Sequence, residues 1–250
     1  MTERRRYWLS ALCAPLLSAV LVASPGLAQI PGSPASATAS KPAFDLTGTW
    51  WVTQPEGPAG FKPDPPLKPD AMKVWQEVNR RRAAGENFRD KSGLCLPEGM
   101  PLIITRVYPI EVHQTAKMIT IIYEYENNVR WIYLDGRPHP KPDDIIPTYM
   151  GHSVGHWEDD TLVVDTIGMN NEPDIQPGVP HTDKLHIVER MKLTSEGFVD
   201  QITMEDPNIL EKPWETQKRY KKSDAELQEY HCLPENNHFT VDAAGVLRPH

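Results

Sequence analysis

The chain has 250 residues, 25 of them proline, and a formal net charge of −8 at pH 7. An acidic chain without a basic cluster argues against nucleic acid and anionic membrane surfaces as partners. The prolines favour irregular connections between strands over long helices, and the length suits one domain with a substantial core.

At the start, Arg4-Arg5-Arg6 precede an apolar run from Tyr7 to Ala23, and Gly26-Leu27-Ala28 supply small residues before Gln29. That pattern predicts a secretory signal peptide over residues 1–28 and a periplasmic or secreted protein. The leader's three arginines and Glu3 carry a net +2, so cleavage takes the charge from −8 to about −10. No later stretch reaches the roughly 20 apolar residues of a membrane span, so stable membrane insertion is not expected. Residues 29–44, rich in Pro, Ser and Ala, read as a flexible linker to a single domain over 45–250. Beyond the leader two cysteines remain, Cys95 and Cys232. In an oxidising compartment they close a disulfide; otherwise they are two buried thiols. With no CxxC, neither redox catalysis nor a zinc ribbon is indicated.

Leu46 to Val52 reads as the first strand, with Trp50 and Trp51 supplying core. Residues 55–69 are broken by prolines. Asp70 is a helix N-cap candidate, and Ala71, Val74, Trp75 and Val78 form one stripe of a helix that stops at Gly85 and packs on the sheet. Strands are predicted over Leu102 to Val107, Ile110 to Gln114, Met118 to Glu126 and Val129 to Leu134, with Asn127-Asn128 as a two-residue hairpin turn. Asp135-Gly136 opens a proline loop that returns at Tyr149.

The stretch from Tyr149 to Asn170 organises the chain: two strands flank the acidic turn Glu158-Asp159-Asp160. Alternation puts His152, Val154 and His156 on one face and Ser153 and Trp157 on the other, while Leu162 and Val164 oppose Val163 and Asp165. A Gly/Pro loop over residues 170–182 leads to strands over Leu185 to Leu193, Phe198 to Glu205 and Glu215 to Lys221. Asp224 to Glu229 is a candidate short helix. Closely spaced antiparallel strands with one helix predict an all-β fold. Gly48-Thr49-Trp50 resembles the opening strand of lipocalins and other calycins. The expected architecture is therefore a calycin-like barrel with long Pro-rich loops, and the alternative is a two-sheet β-sandwich.

Polar residues on apolar strand faces point to a pocket. His152 and His156 have the HxxxH spacing of a helical zinc site, but in a strand they lie roughly 13 Å apart, too far to share one ion. GHSVG around Ser153 matches GxSxG, yet no helix follows to form a nucleophile elbow. The candidates for proton transfer are His113, His152, Asp165 and His186. Those for ligand contact are Tyr123, Arg130, Tyr133, Trp157, His181, Glu189 and Arg190, with Arg130 able to hold a substrate oxygen. Glu189 and its neighbours carry a second reading, a Glu–Arg pair across neighbouring strands.

EVHQT (111–115), YEYENNVRWIYLDGRPHP (123–140), MGHSVGHWEDDTLVVDTIGMN (150–170), PHTDKLHIVER (180–190) and DPNILEKPW (206–214) resemble the signature blocks of a family of exported bacterial proteins. In that pattern Asp159 is often Gly and His156 often Arg, which makes His156 a basic rim residue. The resemblance implies location and fold, not chemistry. The expectation is an exported protein with a pocket for a small apolar or aromatic molecule. It is read as an acid–base isomerase, lyase or hydrolase needing no metal or other cofactor, or alternatively as a binding or carrier protein. Oligomeric state is not legible.

Overall fold

In a computed structural model of the protein, the described residues are 42–53, 60–88, 95–232, 239–241 and 246–249. The leader and most of the linker lie outside them. Nine strands form a closed barrel: β1 (Gly48–Thr53), β3 (Ile110–Gln114), β4 (Met118–Tyr123), β5 (Val129–Tyr133), β6 (His152–Glu158), β7 (Thr161–Ile167), β8 (His186–Thr194), β9 (Gly197–Glu205) and β10 (Trp214–Ser223). Their order around the barrel is β1-β10-β9-β8-β7-β6-β5-β4-β3, with β3 closing on β1. A separate small sheet is built from β2 (Asn87–Phe88), β11 (Phe239–Val241) and β12 (Val246–Pro249).

Alternation decides what fills the barrel. Trp50, Ile119, Ile132, Leu162, Ile187 and Met204 point inward and are buried, each worth roughly 1.5–3 kcal/mol against exposure. Trp50 meets Phe198 edge to face at 5.0 Å. The predicted face assignments of the central hairpin hold: Ser153 and Trp157 are buried while His156 is exposed.

Every barrel pairing is antiparallel except β5 with β6, which is parallel and joins through only Ile132–Ser153 and Tyr133–Val154. A parallel pair needs a long crossover, and the proline loop 134–151 is that crossover. Gly155 lets the seam close: a Cβ there would lie 2.8 Å from Leu134 and 3.0 Å from Ile132. Gly151, at φ +67°, turns the chain into β6 where a Cβ would lie 2.7 Å from the Ile167 carbonyl oxygen. The loop thus brings His139 to His152 on the outer face.

Helix α1 (Pro69–Ala83) starts with Pro at its first position and Asp70 in its first turn; Lys68, not Asp70, is the cap residue. Ala71 and Val78 are its buried residues, Val78 sits against Gly178, and Val74 is exposed. The helix therefore packs through Val78 on the loop that carries Gly178. Residues 102–107, expected as a strand, instead open with a buried 3-10 turn over Leu102–Thr105. Met118 to Glu126 stops as a strand at Tyr123, and its turn carries positive φ at Glu126 and Asn127, one residue before the expected pair. Residues 224–229 have no regular helix. Cys95 and Cys232 are bonded, closing a loop across 137 residues.

Candidate functional site

Outward-facing residues of β6, β7, β8 and β9 meet one loop residue at one point on the barrel surface. His152 pairs with Ile167, Asp165 with Val154 on one side and Val188 on the other, and His186 with Glu205. His139, from the crossover loop, fits between them. Its Nδ1 lies 2.9 Å from His152 Nδ1, and its Nε2 lies 3.1 Å from Asp165 Oδ1. His186 Nε2 reaches the same Asp165 oxygen at 3.0 Å, and its Nδ1 stands 3.8 Å from Glu205 Oε2. The Tyr133 ring packs on His152 with centroids 5.4 Å apart, and the Arg137 guanidinium lies 4.0 Å from the Tyr133 ring centre while donating to Asp135.

Donor–acceptor logic assigns the protons. Hydrogen bonds from His139 and then His186 hold the Asp165 carboxyl well below the usual carboxylate range, so it is an acceptor only. His139 therefore donates from Nε2. In its neutral form its Nδ1 is an acceptor, so His152 donates to it from Nδ1. His152 Nε2 is left as a lone pair, and it has no hydrogen-bond partner among the described residues. Burial, followed by the fields of His139 and Arg137, lowers the His152 pKa and keeps that base neutral. His186 is shifted the other way, mainly by its bond to Asp165. The arrangement is a linear relay, His152–His139–Asp165, with His186 as a second imidazole on the carboxylate. The two nitrogens of His139 serve different partners on different sides of the ring. Among the described residues no group of three His, Cys, Asp or Glu is arranged to hold a metal ion.

Behind the relay, on the inner face, lies a polar clamp. Arg130 donates from Nη1 to Glu189 at 2.9 Å, from Nη2 to Thr166 Oγ1 at 2.9 Å, and from Nε to Ser153 Oγ at 3.2 Å; Nη2 also reaches Glu189. The Glu–Arg pair read from sequence exists, but it spans the barrel interior from β5 to β8 instead of joining neighbours. Arg130, Ser153 and Thr166 are each adjacent in sequence to an outward residue of the site region: Trp131, His152 and Asp165. One guanidinium thus fixes the strands that carry the relay. Burial, followed by the Glu189 charge, pushes the nearby Asp200 carboxyl well above its ordinary value. Tyr123 is buried and pushed up to about 12 by desolvation.

The structure brings together three of the four predicted proton-transfer residues, His152, Asp165 and His186. His113 lies on the outer face of β3 and pairs with Glu111 at 3.1 Å. Among the ligand-contact candidates, Tyr133 joins the site. Tyr123, Arg130 and Glu189 are interior, and Trp157 is an inward residue edge-on to Phe44 at 4.6 Å. Arg190 donates to Glu158 at 2.9 Å, and His181 is buried in a loop, its Nδ1 donating to the Thr182 carbonyl at 3.0 Å. A cavity bounded by Ile110, Tyr123, Tyr125 and Tyr220 has about 10 Å³, room for a single water molecule. Sequence reasoning missed His139, Arg137 and Glu205. For His139 a signal was available: it stands in the RPHP end of the 123–140 block.

No protein-family model matches the chain, and no curated protein matches it in sequence.

Proposed function

We propose that the protein is an exported acid–base enzyme acting on a small aromatic molecule, with His152 as the general base. The observation that carries this is the relay itself: a carboxylate orients one imidazole, which orients a second whose outer nitrogen is unoccupied. When His152 Nε2 takes a proton from the bound molecule, its Nδ1 proton can pass to His139 Nδ1, so the positive charge comes to rest beside Asp165. The reverse transfer returns the proton to a different atom of the substrate or to a leaving oxygen. A base backed by an oriented partner in this way contributes typically 10²–10⁴-fold. Export is supported by the leader pattern and by the disulfide, which suits an oxidising compartment.

The test is turnover in D₂O. The protein without residues 1–28 is incubated with a panel of hydroxylated and carbonyl-bearing aromatics, and products are read by mass spectrometry. Deuterium gain or conversion that disappears in His152→Ala supports the reading. Ligands that bind and return unchanged and unlabelled would make the protein a carrier and overturn it.

A further inference from the structure

We infer that Trp131 is the floor of an aromatic subsite beside His152, and that it takes a neutral, hydroxylated aromatic ring. This deepens the acid–base reading and rests on it. Trp131 lies on the outer face of β5 and is 52% exposed, unlike Trp50, Trp157 and Trp214, which are buried. The seam register pairs Ile132 with Ser153 and Tyr133 with Val154, so one step back Trp131 stands level with His152. Neighbouring strands are about 4.8 Å apart, so the two residues leave the same face of the sheet from adjacent backbone positions. Tyr133, the next outward residue on the strand, is already covered, packing on His152 and beneath Arg137. Among the described residues no ring or cation packs on Trp131 in that way, and about half of its surface is open to a ligand.

The chemistry narrows the ligand. An indole face binds flat rings by stacking. A molecule lying on it brings a hydroxyl substituent next to His152 Nε2, an acceptor that lacks a partner and calls for an O–H donor. Charge selects against an anion: the chain is at −8, and Arg137 is already committed to Asp135. A neutral phenol-like molecule satisfies all three conditions.

The experiment uses 2-naphthol as probe and its saturated analogue decahydro-2-naphthol as control, with binding followed by NMR of the Trp indole N–H groups and the histidine rings. The inference expects 2-naphthol to shift the Trp131 indole and the His152 ring together. It expects Trp131→Ala to weaken binding about tenfold, Trp131→Phe to retain most of it, and the saturated analogue to bind the wild type no better than 2-naphthol binds Trp131→Ala. In Trp131→Ala the His152 titration should be unchanged. Naphthol affinity that is the same in wild type and Trp131→Ala, or equal affinity for the saturated analogue, overturns the subsite. Failure of the base reading looks different: naphthol perturbs Trp131 while the His152 ring does not respond.

Discussion

His139 and His152 face each other nitrogen to nitrogen, Nδ1 to Nδ1 at 2.9 Å, and only one of the two can hold the proton between them. Asp165 decides which, by claiming the other side of His139. Removing the orienting imidazole should therefore cost activity without removing the base. His139→Ala is expected to lower kcat by roughly 10²-fold or more while leaving unfolding close to wild type, because His139 belongs to a surface loop. The check is a pH–rate profile beside a thermal melt. Equal profiles in both proteins would remove His139 from the relay.

The Arg130–Glu189 pair is fully buried, so removing one partner strands a charge. Glu189→Gln or Arg130→Met should each destabilise by about 3–5 kcal/mol, whereas a double replacement by apolar residues should recover much of the loss. Urea unfolding of the two single variants and the double variant measures this. Additive losses in the double variant would argue that the clamp is not one unit.

Milder cuts test the clamp's link to the site. Ser153→Ala and Thr166→Val each remove one hydroxyl bonded to Arg130, at a cost near 1 kcal/mol. If the clamp holds the strands of the relay, the His152 titration should move in both variants, although neither hydroxyl touches His152. An unmoved titration would reduce the clamp to a fold-stabilising role.

Two aspartates give opposite pH signatures. Asp165 has a carboxyl held below its ordinary value of 3.8, so the stability it contributes is present above that pH and is lost as the pH falls below it. Asp200 is raised well above 3.8, so its contribution is present below that pH and is lost as the pH rises towards its folded value. Asp200→Asn, which keeps the shape without the ionisation, should stabilise the protein at neutral and alkaline pH and leave acid unfolding unaltered. Asp165→Asn should do the reverse, flattening only the acid limb. Melting temperature against pH for the three proteins distinguishes these outcomes.

The disulfide closes a long loop and ties residues 230–232 beside Tyr108 and Tyr125, with the Tyr230 ring against both. Cys95→Ser with Cys232→Ser should lower stability by roughly 2–5 kcal/mol and leave the histidine titrations unchanged.

Much of this was legible from the sequence because a period of two leaves little freedom. Shifting β6 by one residue would expose Ser153 and Trp157 and bury His152 and His156, so their faces could be read directly. The strand positions follow from the same constraint, whereas the helix follows from its own stripe of apolar residues and the barrel is favoured over a sandwich by the Gly48-Thr49-Trp50 resemblance. Local pattern gives a face, however, and not a partner. Nothing near Glu189 shows that its arginine comes from β5 across the interior. Leu102 to Val107 is a short apolar run, and burial alone does not separate a strand from a 3-10 turn. The parallel seam was least visible: the 134–151 loop has no periodicity, yet it alone brings His139 to Asp165. The residue that turns three separate polar groups into a relay was therefore the one that alternation could not find.

The most direct test of the central claim is the tautomer of His152 and His139, read by long-range ¹H–¹⁵N NMR of the imidazole rings at pH 7. His152 is expected to be neutral with its proton on Nδ1 and a bare Nε2, and His139 to carry its proton on Nε2 towards Asp165. A His152 that is charged at pH 7, or that carries its proton on Nε2, would contradict the claim.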